Sequence, residues 1–374
     1  MAGIAAWLPL LGMPARGWLD FSAFYAGGAL AFRPQVLDLE AVAGFQALHG
    51  LPNTPFLYPP ALAIVYAPFA SLPYDLAAAL HVGLQAVALL AAAALASRVY
   101  DLPRRWTLIG AFCWAPAAAA VVSGQNSAVL LLLVVIAGWA LRRGSTGSAV
   151  AGLAIGLAAY RPHLGLPLTG LAGWRRAWLV LAVALLVIAA QYGLGVLATG
   201  GQLDWPARWL STIGTETATD FRDQGWQAIG LPGILGRISV AGSAPGSLFG
   251  PALVGYVIGA VVILSALGEL RSWDPARAIA LTCALPLFAG PRGFSYDGTL
   301  LLPAVAIVAR DAAAHGWPWR YRWLLAAAFG IALAWPLGGL LRVDPLAVVV
   351  LAAPFVLLGR GPFRAFAARG AAPA

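Results

Sequence analysis

The sequence predicts an all-α membrane protein that crosses the bilayer many times, and three observations carry that expectation. The 374 residues are 61% hydrophobic and only 10% charged, whereas a soluble domain carries about 25% charged residues. Apolar runs recur along the whole chain, with clear ones at Leu76–Ala96, Ser127–Leu141, Trp178–Ala198, Leu248–Leu270, Trp323–Leu341 and Leu346–Leu358. Lipid cannot satisfy backbone polar groups, so continuous apolar segments of about 20 residues span as helices. The expected architecture is a single integral membrane domain over residues 1–374. It would hold about 10–12 transmembrane helices, with short re-entrant or broken helices and outer loops.

Arginine placement sets the direction of threading. Loops between apolar runs carry Arg98/Arg104/Arg105, Arg142/Arg143, Arg175/Arg176, Arg271/Arg277, Arg310/Arg320/Arg322 and Arg360/Arg364/Arg369. These are fifteen of the 23 basic residues, all arginine, and the same loops hold only four of the 14 acids. Short basic loops face the cytoplasm. The net charge of +9 is therefore a topology signal, and it excludes a nucleic-acid partner as its cause.

With the N-terminus inside, residues 1–15 go out and about 16–58 form an outer loop. Tyr74–Arg98 return, Trp106–Val122 go out, and Asn126–Leu141 return. Residues 178–198 go out to an outer segment at about 199–247, and 248–270 return. The pairs 277–291 with 298–310 and 323–341 with 344–359 follow, leaving a cytoplasmic tail at about 360–374. The first span is short, and it lacks a cleavage pattern and a basic leading region, so it does not read as a removed leader.

Two pieces do not fit as full spans. Pro60–Leu72 reaches only about half a membrane thickness at about 1.5 Å per residue. Ala149–Gly173 has arginines beyond both ends and a break at "YRPHLG" (Tyr160–Gly165), because a residue before proline is pushed out of helical geometry. Either two short helices meet there with Arg161 at their junction, or one kinked helix lets Arg161 snorkel to the interface.

Cys113 and Cys283 lie in apolar segments, and the four histidines show no ligand spacing. No disulfide framework, metal site or other cofactor is expected. The polar residues that stand out collect on the outer face instead: Asp20 in "WLDFSAFYAGGALAF", the stretch "FLYPPALAIVYAPFASLP" (Phe56–Pro73), "SGQN" (Ser123–Asn126), Arg161, Arg237 and "GPRGFSYDG" (Gly290–Gly298). Ionisable groups at membrane level are costly and have a partner or a task. Asp20 suits a helix cap or a base whose pKa is raised among aromatics. Gly27 and Gly28 permit close approach of a ligand or a neighbouring helix. Tyr58–Pro59–Pro60 starts a helix or lines a site, and Gln125 and Asn126 satisfy helix ends or line it. Asp297 pairs with Arg292 or meets a ligand. Trp205, Trp209 and Trp226 read as interfacial anchors ahead of sugar platforms, and His81 and His163 as packed polar residues.

"DFSAFYAGG", "LYPPALAIVYAPFASLP", "SGQNSAVLLLL" and "AGLAIGLAAYRPHLGLPLTGLAGWRRAW", in this order, resemble the motifs of glycosyltransferase family 87. "GWQAIGLPGILGR" and "GFSYDGTLLLPAVAIVAR" extend the resemblance more loosely. The family comprises polytopic GT-C-type enzymes, including polyprenyl-phosphate-mannose-dependent α-mannosyltransferases. The resemblance implies a multi-pass enzyme of a bacterial plasma membrane with its active site on the extracytoplasmic side. It implies a polyprenyl-phosphate sugar donor, mannose among the candidates, a glycolipid or envelope glycan acceptor, and contact with membrane lipids. It implies Asp20 as catalytic base, with Arg161 standing where the family often has lysine before the proline. Arg161, Arg237 and Arg292 are the candidate phosphate ligands. Phe24, Tyr25, Tyr58, Gln125, Asn126, His163, Tyr296 and Asp297 are the candidate substrate-lining residues. The family's histidine after this last acid is replaced by Gly298. The competing expectation is a transporter or flippase for a lipid-linked substrate, which broken helices also suit.

Overall fold

A computed structural model describes residue 7 and residues 19–223, 227–240, 249–290, 293–334 and 337–359. Among the described residues the chain is helical, without strands. The expected first span, Arg292, Trp226 and the tail at 360–374 lie outside them.

The segment ahead of the first long helix is built from α1 (Leu19–Ala29) and α2 (Leu39–Leu48). Phe21, Phe24 and Tyr25 share one face of α1, following helical spacing, and are buried. Asp38 caps α2 by accepting the amide protons of Glu40 and Ala41 at 2.9 and 3.3 Å. The short helix α3 (Ala61–Ala70) begins after Pro60 and packs on α1. A Cβ at Gly28 would lie 2.5 Å from the Tyr66 carbonyl oxygen, and one at Gly27 would lie 2.6 Å from the Phe56 ring. Gly28 therefore makes room for α3 and Gly27 for the ring of Phe56 in the extended stretch before it. Gly28→Ala is expected to destabilise the protein by about 1–3 kcal/mol, read by denaturation in detergent, because backbone cannot yield as a side chain can.

Then follow α4 (Tyr74–Val99), α5 (Arg104–Cys113), α6 (Ala115–Val122) and α7 (Ser127–Leu141). The sequence predicts one span over Trp106–Val122, but α5 and α6 are bent by 62°. Pro116 opens α6, and Trp114 at the break donates its indole N–H to the Gly298 carbonyl at 2.8 Å. The hairpin α8 (Ser148–Ala158) and α9 (Pro162–Trp174) carries Arg161 at its junction. Arg161 is only 3% exposed, so it does not snorkel.

The remainder comprises α10 (Trp178–Ala198), the amphipathic helix α11 (Trp205–Asp223), α12 (Leu231–Val240), α13 (Phe249–Ser272) and α14 (Pro275–Ala289). A 3₁₀ segment, Ser295–Leu301, precedes α15 (Leu302–Ala314), α16 (Trp319–Leu333), the single turn α17 (Gly338–Leu341) and α18 (Leu346–Leu358). Two expected spans, 298–310 and 323–341, are thus each divided. Among the described residues, α4, α10 and residues Pro251–Ser272 of α13 are long and apolar enough to cross alone, and the bent α5–α6 pair makes a fourth. Shorter apolar helices, among them α3, α7, α14 and α18, accompany them, and the fold is that of an all-α polytopic membrane protein.

The arginine loops lock to one another at one end of these helices. Arg142 donates to the Arg98 carbonyl and to Asp101, both at 3.0 Å. Arg175 reaches the Leu270 and Trp273 carbonyls, each at 2.8 Å. Such cations satisfy the orphan carbonyls of helix C-termini. The turns that end α6, α8 and α14 lie at the other end of the bundle. Two hydrophobic cores result, one among α4, α7, α8, α14 and α18 and one around α1 and α3, and Tyr160 packs against both.

Candidate functional site

The seam between those cores holds a polar cluster assembled from turns and helix breaks. Gly124 takes a left-handed φ of 75°, a geometry natural to glycine, and so turns α6 into α7. That turn presents Ser123, Gln125 and Asn126. Asp20 sits in the first turn of α1, where an acid is favoured by the helix dipole. Its amide donates to the Ser123 carbonyl at 3.1 Å. Gln46 grips Thr54 through both amide atoms, at 2.7 and 3.2 Å, and so holds the extended strip that delivers Tyr58.

Arg161 is the hub. Its Nε donates to Asn126 Oδ1 at 3.1 Å, and its Nη2 donates to Gln125 Oε1 at 2.7 Å and to the Tyr58 hydroxyl at 3.0 Å. Its Nη1 forms an ion pair with Asp297. The Tyr58 hydroxyl in turn donates to Gln125 Oε1 at 2.8 Å, and the Tyr160 hydroxyl donates to the Asn126 carbonyl at 3.0 Å. Asp297 is 4% exposed and also accepts the Phe294 amide at 3.2 Å. Its partner among the described residues is therefore Arg161, and the expected pairing with Arg292 lies outside them. Asn126 precedes α7 but makes no side-chain cap, so it serves the hub and not the helix end.

The side chains of Gln125 and Ser123 hydrogen-bond the Asp20 carboxyl. Burial nevertheless pushes that carboxyl up to about 6, with Asp297 adding to the rise and Arg161 opposing it. Asp20, Tyr58, Ser123, Tyr160 and Tyr296 all keep partial exposure. Gln125, Asn126, Arg161 and Asp297 are buried. The cluster is a half-open rim with one carboxylate, set on a buried base with one neutralised ion pair.

Not every expected residue joins it. Phe24 has no exposed surface and stacks on Tyr66 at 4.7 Å. Tyr25 donates its hydroxyl to the Leu72 carbonyl at 2.8 Å. Both belong to the core behind Asp20. His163 is exposed on α9. Arg237 is half-buried on α12, and no hydrogen bond or ion pair among the described residues ties it to the cluster. Trp205 and Trp209 face inward, their indoles donating to the Tyr192 and Leu57 carbonyls at 3.2 Å. His81 is a packed core residue with Nε2 at 2.9 Å from the Gly124 carbonyl. Asp344, a buried acid at 1% exposure, accepts the Ser295 hydroxyl and the Leu346 amide. Among the described residues, no three His, Cys, Asp or Glu side chains group so as to hold a metal ion.

The sequence matches the model of glycosyltransferase family 87 over residues 56–291, more than half of the chain. The protein belongs to that family. No curated protein matches it, and no solved structure does. The matched stretch of this family 87 glycosyltransferase includes Tyr58, Gln125, Asn126 and Arg161. Asp20 and Asp297 lie on either side of it and reach the matched residues through the fold. A multi-pass membrane glycosyltransferase thus places its densest polar cluster where these two acids meet the matched turns.

Proposed function

We propose that this membrane glycosyltransferase moves a sugar, with mannose the first candidate, from a polyprenyl-phosphate donor to a glycolipid or envelope glycan. Transfer takes place at the face opposite the arginine loops, which is extracytoplasmic by the basic-loop rule. The observation that carries the reading is Asp20, a part-exposed carboxyl held near 6 at the rim of the cluster. As the acceptor oxygen bonds to the sugar's anomeric carbon, Asp20 takes the hydroxyl proton. The bond from that carbon to phosphate breaks from the opposite face, and its electron pair leaves with the polyprenyl phosphate. The leaving group is already an anion and needs no general acid, so one base and nearby cations suffice for inversion. Arg161 supplies positive potential from beneath Tyr58 and Gln125, and Arg237 and Arg292 are the cations left for direct phosphate contact. Tyr58, Ser123 and Tyr296 offer hydroxyls to the sugar.

The test is transfer of labelled mannose from a synthetic polyprenyl-phosphate mannose by the full chain in detergent, with the product anomer read by NMR. Inverted product is expected. The rate should be lost below, and rise through, an apparent pKa of about 6, because Asp20 works only when deprotonated. Movement of intact lipid between leaflets without bond cleavage would replace the reading with transport.

A further inference from the structure

A second cavity lies away from the cluster. It has a volume of about 560 Å³, within the range of about 300–1,000 Å³ typical of small-molecule sites. Ala93 and Ala96 of α4, Leu131 of α7, Ala306 of α15 and Phe329 of α16 give it an apolar wall. It begins beside Leu302 and Cys113 and runs along α15 to Ala313, with Pro103, Trp106 and Trp317 at that end. This is the arginine end of the helices. Trp114, next to the lining residue Cys113, is fully buried, bonded to the Gly298 carbonyl at 2.8 Å and edge-on to the lining residue Phe329 at 5.2 Å.

The open end carries charge without a partner. The acids nearby are taken: Asp101 by Arg142, Asp274 by Arg310 and Asp311 by Arg277. Arg104 and Arg105 are exposed and make no ion pair among the described residues. The Arg105 guanidinium sits 5.4 Å over the ring of Trp106, which itself lines the cavity. Trp106 and Trp317 are 57% and 41% exposed, as aromatic anchors at a membrane surface are. An apolar slot with an unneutralised basic mouth matches a hydrocarbon chain joined to an anionic head.

We propose that this cavity binds one chain of an anionic phospholipid from the leaflet at the arginine face, its headgroup held by Arg104 and Arg105. The site shares no lining residue with the polar cluster around Asp20 and Arg161. Native mass spectrometry of the full chain, equilibrated with phosphatidylglycerol and phosphatidylcholine of identical chains and with a polyprenyl phosphate, tests it. The wild type is expected to retain one phosphatidylglycerol with a preference of about 30-fold, the amount two arginines at a membrane surface supply. Arg104→Gln with Arg105→Gln, both on exposed positions that folding does not need, should erase the preference. Ala306→Trp, which fills the slot, should abolish retention while the double variant keeps a folded control. Equal retention of both lipids by the wild type, or an unchanged preference in the double variant, would overturn the proposal. So would exclusive retention of a polyprenyl phosphate, which would hand the cavity to the sugar donor.

Discussion

Asp20→Asn is expected to fold and to transfer sugar about 10²–10⁴-fold more slowly than the wild type, the usual contribution of a positioned base. The amide keeps the carboxylate's shape, so α1 and its packing against α3 are undisturbed. Stability should move in the other direction. The folded carboxyl sits at about 6, above its ordinary 3.8, so between those values the folded state binds the proton that the unfolded state has released. Folding stability from this group is therefore full below about pH 4 and lost as pH rises through about 6. A neutral amide escapes that loss, and the variant should be at least as stable as the wild type at pH 7. Denaturation curves in detergent together with donor turnover check both halves. Full transfer by the folded variant removes Asp20 from the chemistry.

The sequence made the membrane class and the arginine face plain because both are written in composition and local charge. Arg161 at a helix junction was also legible, since a residue before Pro162 cannot continue a helix. Span lengths were not. Hydropathy counts apolar residues and is blind to where Trp114 turns the chain or where the 3₁₀ segment replaces a helix. The pairing of Asp297 with Arg161 was not legible for a related reason. The two are 136 positions apart and meet only through packing. Asp344 and Ser295 are 49 positions apart and meet only through packing. Phe24 and Tyr25 look like sugar-stacking rings in a string of letters, and the helical phase of α1 turns both into the core.

Arg161→Met is expected to cost about 3–5 kcal/mol of stability, the range for removing one partner of a buried ion pair. The substitution strands Asp297 in apolar surroundings and takes donors from Tyr58, Gln125 and Asn126 at once. Arg161→Lys should recover only part of the loss, because a point charge cannot replace a planar fork that serves four side chains. The decisive variant is Arg161→Met with Asp297→Asn. It removes both charges, so the uncompensated carboxylate disappears, and stability should return by more than either single change predicts. Activity separates a structural hub from a phosphate ligand. Arg161 lowers the Asp20 pKa and Asp297 raises it. The single Met variant should therefore shift the acid limb of the pH–rate profile upward, and the double variant should bring it back toward about 6. If Arg161→Met keeps full stability and loses only donor affinity, the guanidinium is a phosphate ligand in its own right. If the double variant is stable, titrates normally and still transfers, the cation's service is to neutralise Asp297 and leave Asp20 as the one unpaired carboxylate at the rim.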